Sequence, residues 1–430
     1  MKKQLLFKTL LLAIALLFAN KAVLSQNYEA GKTLEKSAAV PENVDILISN
    51  HSGDIDFSTT NESSVKIHTD IKVTTKTKEE ADKLMEAIEN FKFNLNGNTL
   101  NIDTRFYKSM NTINGRSTIT LLNGDKIKIK DFDISHKISI PKSASLNLKN
   151  KYSNVSMESL NGSVQLNLYS SKLTARNFAS DVSIESKYSK LYVSDFNAIT
   201  KLDLYDTDIV FKSANDLNIQ SKYSKFEGNK AGSLTINSYD DDFKIDVFTD
   251  LKMEAKYSGL VSEAVLNMLD LDLYDSDIII ASAKQARFSG KYCELKLGNV
   301  KELNIPSSYD NDIYLGKTVR VQIDESKYSL YEMNATSNFS IIGYDDEVKI
   351  AKLNSDFESI SVDGKYGKLS INPGSAPFKI DAQMKYGKVD FPESLKVSKR
   401  IEKNSELEIM AGENGGTVKI RGYDMKVTIK

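Results

Sequence analysis

Tyrosine beside lysine, serine or aspartate recurs along most of this chain, and these are residue types that can do chemistry. Lys-Tyr-Ser occurs at Tyr152, Tyr188, Tyr223, Tyr257 and Tyr328, with Cys293 replacing the serine after Tyr292, and Lys-Tyr-Gly occurs at Tyr366 and Tyr386. Between them Tyr169 precedes a serine, and Tyr205, Tyr239, Tyr274, Tyr309 and Tyr344 each precede an aspartate. Three chemistries fit such residues. Carboxylates such as Asp206/Asp208, Asp240-Asp241-Asp242, Asp275/Asp277, Asp310/Asp312 and Asp345-Asp346-Glu347 could hold a calcium ion. Paired carboxylates could cleave a glycosidic bond. A row of tyrosines could stack on sugar rings.

The elements that carry these residues decide among the three. Aligned on the apolar alternation around each motif, the last residue before each break runs Asn150, Leu168, Ser186, Leu204, Ser221, Ser238, Ala255, Leu273, Gly290, Ser308, Ser326, Gly343, Gly364 and Met384. The steps are 17 or 18 residues up to Gly343, then 21 and 20. A constant step with period-2 alternation on both sides of a corner is the pattern of a β-solenoid, one coil per step. The inward position after the corner agrees: Val155, Leu173, Leu191, Ile209, Phe226, Phe243, Leu260, Ile278, Leu295, Ile313, Tyr331, Val348, Leu369 and Val389 are all apolar or aromatic.

At the corner itself two columns alternate. The first reads Lys187, Tyr205, Lys222, Tyr239, Lys256, Tyr274, Lys291, Tyr309, Lys327, Tyr344, and the second Tyr188, Asp206, Tyr223, Asp240, Tyr257, Asp275, Tyr292, Asp310, Tyr328, Asp345. With coils ~4.8 Å apart, alternation keeps like charges two coils apart. The expected contacts are lysine on tyrosine rings in one column and tyrosine hydroxyls beside carboxylates in the other. Acidic coils then lie ~9.6 Å apart, too far for two of them to share an ion, so the aspartates read as corner charges neutralised by lysines and no metal site is expected. The histidines are His51, His68 and His136, none in the repeat, which leaves little material for zinc or for a histidine-activated nucleophile. An enzyme would need a local departure from regularity where acids and bases converge. No catalytic residue and no cofactor is expected.

Lys and Arg number 57 against 58 Asp and Glu, a balance that argues against a nucleic-acid partner. Lys2, Lys3 and Lys8, the apolar run 9–19 and Val23-Leu24-Ser25 form an export signal, residues 1–25, with cleavage expected before Gln26. That run is shorter than the ~20 residues of a membrane span, and nothing later is apolar enough to be one. Cys293 is the single cysteine, and reads as a stand-in for the repeat's serine. Residues 26–149 show no such period; they hold strand-like runs at 44–49, 53–57 and 65–75, a helix over 78–91 with Ala81, Leu84, Met85 and Ile88 on one face, and a hairpin around Asn96-Gly97. The polar stretch 107–124 reads as a loop, and residues 393–430 as short antiparallel strands capping the last coil.

The order of export signal, SNHSGDIDF, a strand-helix-strand excursion, ISIPKSASLNLKNKYSNVSMESLNGSVQL and then coil after coil resembles the adhesin-like β-solenoid domains of unknown function in exported Bacteroidetes proteins, including autotransporter adhesin head domains. Such domains often carry glycine at the corner, where this chain has Tyr-Ser or Tyr-Asp. The resemblance implies a fold more firmly than an activity.

The expectation is therefore an all-β, single-stranded parallel β-solenoid over 150–392 with coils of 17–18 residues, preceded by a strand-rich region with one helix. Its expected role is a non-enzymatic adhesin-like or scaffold protein, exported to the periplasm, the outer membrane or the medium. Its partner would be a glycan or an envelope protein held along the surface. The alternative is a polysaccharide lyase or glycosidase on a β-helix.

Overall fold

The computed structural model describes residues 27–430, so the expected export signal lies outside the described residues. The chain divides into two compact units between Ser156 and Met157. No helix among the described residues is long and apolar enough to cross a membrane.

The second unit is a parallel β-solenoid. Val182–Lys187 pairs with Thr200–Tyr205, and that strand with the second half of Asp208–Lys222, in the registers Ser186↔Leu204 and Leu204↔Ser221. From Asp208 to Lys327 each coil is one strand of 15 or 16 residues running from corner to corner. The alternation dictates this: every second side chain enters the core, and the expected inward column is buried along its whole length. Phe226 and Phe243 stack there at 4.4 Å between centroids. Each fully buried Leu, Ile or Phe contributes roughly 1.5–3 kcal/mol relative to exposure, so the core holds every coil.

The end of the unit departs from expectation. Only Val397–Lys403 and Glu406–Ala411 form an antiparallel hairpin, which covers Phe378–Lys385. Gly416–Tyr423 and Lys426–Ile429 are no cap; they form a complete parallel coil inserted between Ser359–Ile371 and Phe378–Asp390. The step of 20 residues, Gly364 to Met384, thus joins coils that do not touch, whereas the step of 21 still joins register partners, Gly343 and Gly364. The physical reason lies in the corners: direct stacking would set Lys365 on Lys385 and Tyr366 on Tyr386, whereas the insert interposes Tyr423-Asp424 and continues the alternation.

The first unit contains a coil that periodicity could not reveal. Asp45–His51 pairs in parallel with Ser145–Lys151, Ser52 has φ +66°, and its N–H donates to Lys151 O at 2.9 Å. Its partner coil lies 100 residues away (Asn50↔Asn150), so a single occurrence shows no period. The helix Lys78–Glu89 is capped by Thr77, whose hydroxyl accepts the Glu80 N–H, and buries the expected face of Ala81, Leu84, Met85 and Ile88. The expected loop at 107–124 is instead a hairpin, Tyr107–Ile113 with Arg116–Leu121, turned by Asn114-Gly115 with φ +50° and +71°. That dipeptide is the two-residue hairpin signal; the polarity of the first strand, exposed from Lys108 to Ile113, obscured it. Tyr28–Ala39, not anticipated as a strand, pairs over 12 residues with Ser64–Thr75.

Candidate functional site

Each corner has three positions. The first carries Lys or Tyr. The second carries Tyr or Asp in left-handed backbone, with φ between +48° and +61° from Tyr188 to Asp345. Aspartate tolerates that region and tyrosine rarely enters it, so something must hold the tyrosines there. Backbone bonds do part of this: Tyr188 N–H donates to Tyr205 O at 3.0 Å and Asp206 N–H to Lys222 O at 2.9 Å, coil after coil. The third position points inward and was missed as a feature of its own. Ser189, Thr207, Ser224, Asp241, Ser258, Ser276, Cys293, Asn311, Ser329 and Asp346 are all buried.

The third position ties one coil to the next. Ser224 N–H donates to Asp241 Oδ1 at 2.7 Å, Asp241 N–H to Ser258 Oγ at 3.2 Å, and Ser258 N–H to Ser276 Oγ at 3.1 Å. Further along, Cys293 N–H donates to Asn311 Oδ1 at 2.8 Å and Ser329 N–H to Asp346 Oδ1 at 2.8 Å. The hydroxyls of Ser189, Ser224 and Ser258 donate back to the carbonyl two residues earlier. Buried polar groups are thereby satisfied in a line through the core. Cys293 fits the serine's place: its Sγ donates to Lys291 O at 3.2 Å, and burial pushes the thiol up to about 11. The middle aspartates of the two acidic runs, Asp241 and Asp346, are therefore core acceptors, and burial raises both pKa values, that of Asp346 to about 6.

The twenty expected surface residues do lie along one edge, but their contacts differ from those expected. Fourteen tyrosines, in spatial order Tyr169, Tyr188, Tyr205, Tyr223, Tyr239, Tyr257, Tyr274, Tyr292, Tyr309, Tyr328, Tyr344, Tyr366, Tyr423 and Tyr386, form one unbroken edge-to-face stack. Centroids are 5.3–5.8 Å apart and ring planes meet at 69–84°. Tyrosines at one position would lie face to face at the coil spacing, the arrangement the ring quadrupole disfavours; moving alternate rings by one residue turns every contact edge-to-face. Lysine contributes less than expected. Lys222 Nζ and Lys291 Nζ sit 5.8 and 5.7 Å from the centroids of Tyr239 and Tyr309, at the outer limit of a cation–π contact. Among the described residues no hydrogen bond joins a ladder tyrosine to a ladder aspartate. Desolvation first, then the neighbouring phenols and Asp206, Asp240, Asp275 and Asp310, raise the pKa values of Tyr188, Tyr223, Tyr257 and Tyr292.

The repeat also departs from regularity at a bend. At the bend after the inward column the outward position carries Asp246 and Glu263, then loses its side chains at Ala281, Gly298 and Gly316 before Asn334 restores them. Backbones close in there: a Cβ on Gly298 would lie 2.2 Å from Ala281 O, and one on Gly316 1.6 Å from Gly298 O. The result is a groove of about 610 Å³ floored by backbone. Val261 and Ile279, 48% and 44% exposed, line it together with Tyr314, whose ring lies 5.6 Å from Lys296 Nζ. Asp246 and Glu263 stand at one end, Glu332 and Asn334 at the other. Ala281, Gly298 and Gly316, on three successive coils at a position that carries Lys212, Asn229, Asp246 and Glu263 before them, are the signal by which the sequence could have disclosed it.

The pairing registers define the class: a parallel β-solenoid with a tyrosine-stacked edge. No protein-family model and no curated protein matches the chain. Among solved structures it is similar to "a putative cell adhesion protein" from Clostridium sporogenes, at 10% identity, over 94% of this chain and 100% of that one, with a TM-score of 0.17.

Proposed function

We propose that this protein is an exported, non-enzymatic adhesin-like scaffold of the cell envelope that holds a glycan in the groove beside Val261, Ile279 and Tyr314. The observation that carries the reading is the loss of side chains at Ala281, Gly298 and Gly316, which opens a concave surface in an otherwise even repeat. Apolar and aromatic walls suit the C–H faces of sugar rings, and the carboxylates and amide at its ends suit their hydroxyls. The tyrosine edge is assigned to support of the fold, because its rings spend their faces and edges on one another.

A glycan array run beside a hydrolysis and lyase screen tests this. Expected are retention of a defined glycan without turnover, and at least a tenfold loss of affinity in Tyr314→Ala and Ile279→Asp, about the 1.4 kcal/mol of one good contact, with melting unchanged. Failure of either variant to weaken binding removes the glycan from the groove. Turnover of any polymer refutes the non-enzymatic scaffold.

A further inference from the structure

We propose that the inserted coil, residues 416–429, is exchangeable between copies, so that the slot between the corners Lys365-Tyr366 and Lys385-Tyr386 accepts the same segment from a second molecule of this chain. Every strand pairing of the segment lies inside that slot. Gly416–Tyr423 pairs with Ser359–Lys365 on one side and Phe378–Lys385 on the other, and Lys426–Ile429 pairs with Lys368–Ile371 and Lys388–Asp390. It makes no pairing with Glu406–Ala411, the strand before it in sequence, which pairs instead with Phe378–Lys385 and Val397–Lys403. A segment donated by a second copy therefore restores the same registers, the buried Val418, Ile420, Val427 and Ile429, and the 2.8 Å ion pair of Arg421 with Asp381. That is the condition for domain swapping.

Two further features favour exchange. An empty slot does not heal well: with the segment withdrawn, its walls would stack lysine on lysine and tyrosine on tyrosine, each pair in like backbone conformation (Tyr366 φ +61°, Tyr386 φ +59°). It stays receptive to a Tyr-Asp corner. The link is also short and tightly folded. Residues 412–415 hold Gly412 and Gly415 at φ +86° and +94°, and a Cβ on Gly415 would lie 2.0 Å from Pro377 O. Glycine holds that conformation without strain, but a short hinge invites exchange once it is strained, as a side chain at 415 would do.

Ser361 and Lys419 are register partners across the slot, and both can be replaced by cysteine in the full chain carrying Cys293→Ser. A chain with both replacements is expected to close an internal disulfide. Chains with Ser361→Cys alone, unfolded and refolded with an equal amount carrying Lys419→Cys alone, are expected to give a covalent heterodimer. Its yield rises with protein concentration and exceeds that of a control pair, Ser361→Cys with Lys108→Cys. Gly415→Val in both partners, which strains only the closed link, is expected to raise the yield several-fold. A heterodimer yield no greater than the control's, with the double variant closing internally, overturns exchange. Free thiols in the double variant overturn the insertion on which it rests.

Discussion

Serine in place of Tyr223, Tyr257 and Tyr292 together is expected to lower the melting temperature by roughly 5–10 °C while leaving the groove's ligand affinity unchanged. The three rings make six contacts of the edge, with Tyr205, Tyr239, Tyr274 and Tyr309. Aromatic pairs in general are worth ~0.5–1.5 kcal/mol beyond area, and six at the low end give a shift of that size in a domain this long. The left-handed corners remain left-handed in the variant, so strain is not relieved while its compensation is removed. In a solenoid, stability is close to a sum of coil and interface terms. Hydrogen exchange should therefore quicken between the coils of Tyr205 and Tyr309 and nowhere else. Unchanged melting with lost binding would instead make the edge a binding surface.

Asp346→Asn is expected to remove the share that Asp346 contributes to a pH dependence of stability between pH 4 and 6, leaving that of Asp241. Asp346 accepts from Ser329 N–H and Ser326 Oγ at 2.8 Å each and from Tyr344 N–H at 2.9 Å, and Ser326 Oγ is also 2.8 Å from the buried Tyr331 hydroxyl. Those hydrogen bonds favour the carboxylate, but desolvation outweighs them and holds its pKa at about 6 against the ordinary 3.8. The folded chain then binds the proton more tightly than the unfolded one. Its stabilising effect is complete below pH ~4 and is lost as pH rises through 6, on the order of 2–3 kcal/mol by pH 7. Asparagine already occupies the same column at Asn311, where its Oδ1 accepts from Cys293 N–H and its Nδ2 donates to Gly290 O at 2.7 Å. The variant should gain on the parent by that amount between pH 4 and 7 in denaturant titrations. Parallel curves for the two would mean that Asp346 is not desolvated.

What the sequence disclosed follows from how each feature is written. The inward column from Val155 to Val389 was legible because burial imposes the same constraint on every coil. The helix was legible because Ala81, Leu84, Met85 and Ile88 face one side. The inserted coil was not, although Gly422-Tyr423-Asp424 repeats Gly343-Tyr344-Asp345, because reading coils in chain order assumes that successive coils touch. The tyrosine contacts escaped for a related reason: columns compare equal positions, and each ring's partner lies one position over on the next coil. Asp241 and Asp346 looked like solvated charge within acidic runs, yet their corner position turns them inward. The groove is marked by small residues on three successive coils, Ala281, Gly298 and Gly316, a run too short to stand out against the repeat.

The tyrosines hold the coils together ring to ring. A double-mutant cycle on Tyr257 and Tyr274, whose rings meet at 5.7 Å and 81°, measures it directly. Alanine at both is expected to shift the denaturation midpoint by less than the sum of the single shifts, since the shared contact can be lost only once. Alanine at Tyr257 and Tyr309, three coils or roughly 14 Å apart, is expected to be additive. Additivity for Tyr257 and Tyr274 as well would contradict the account.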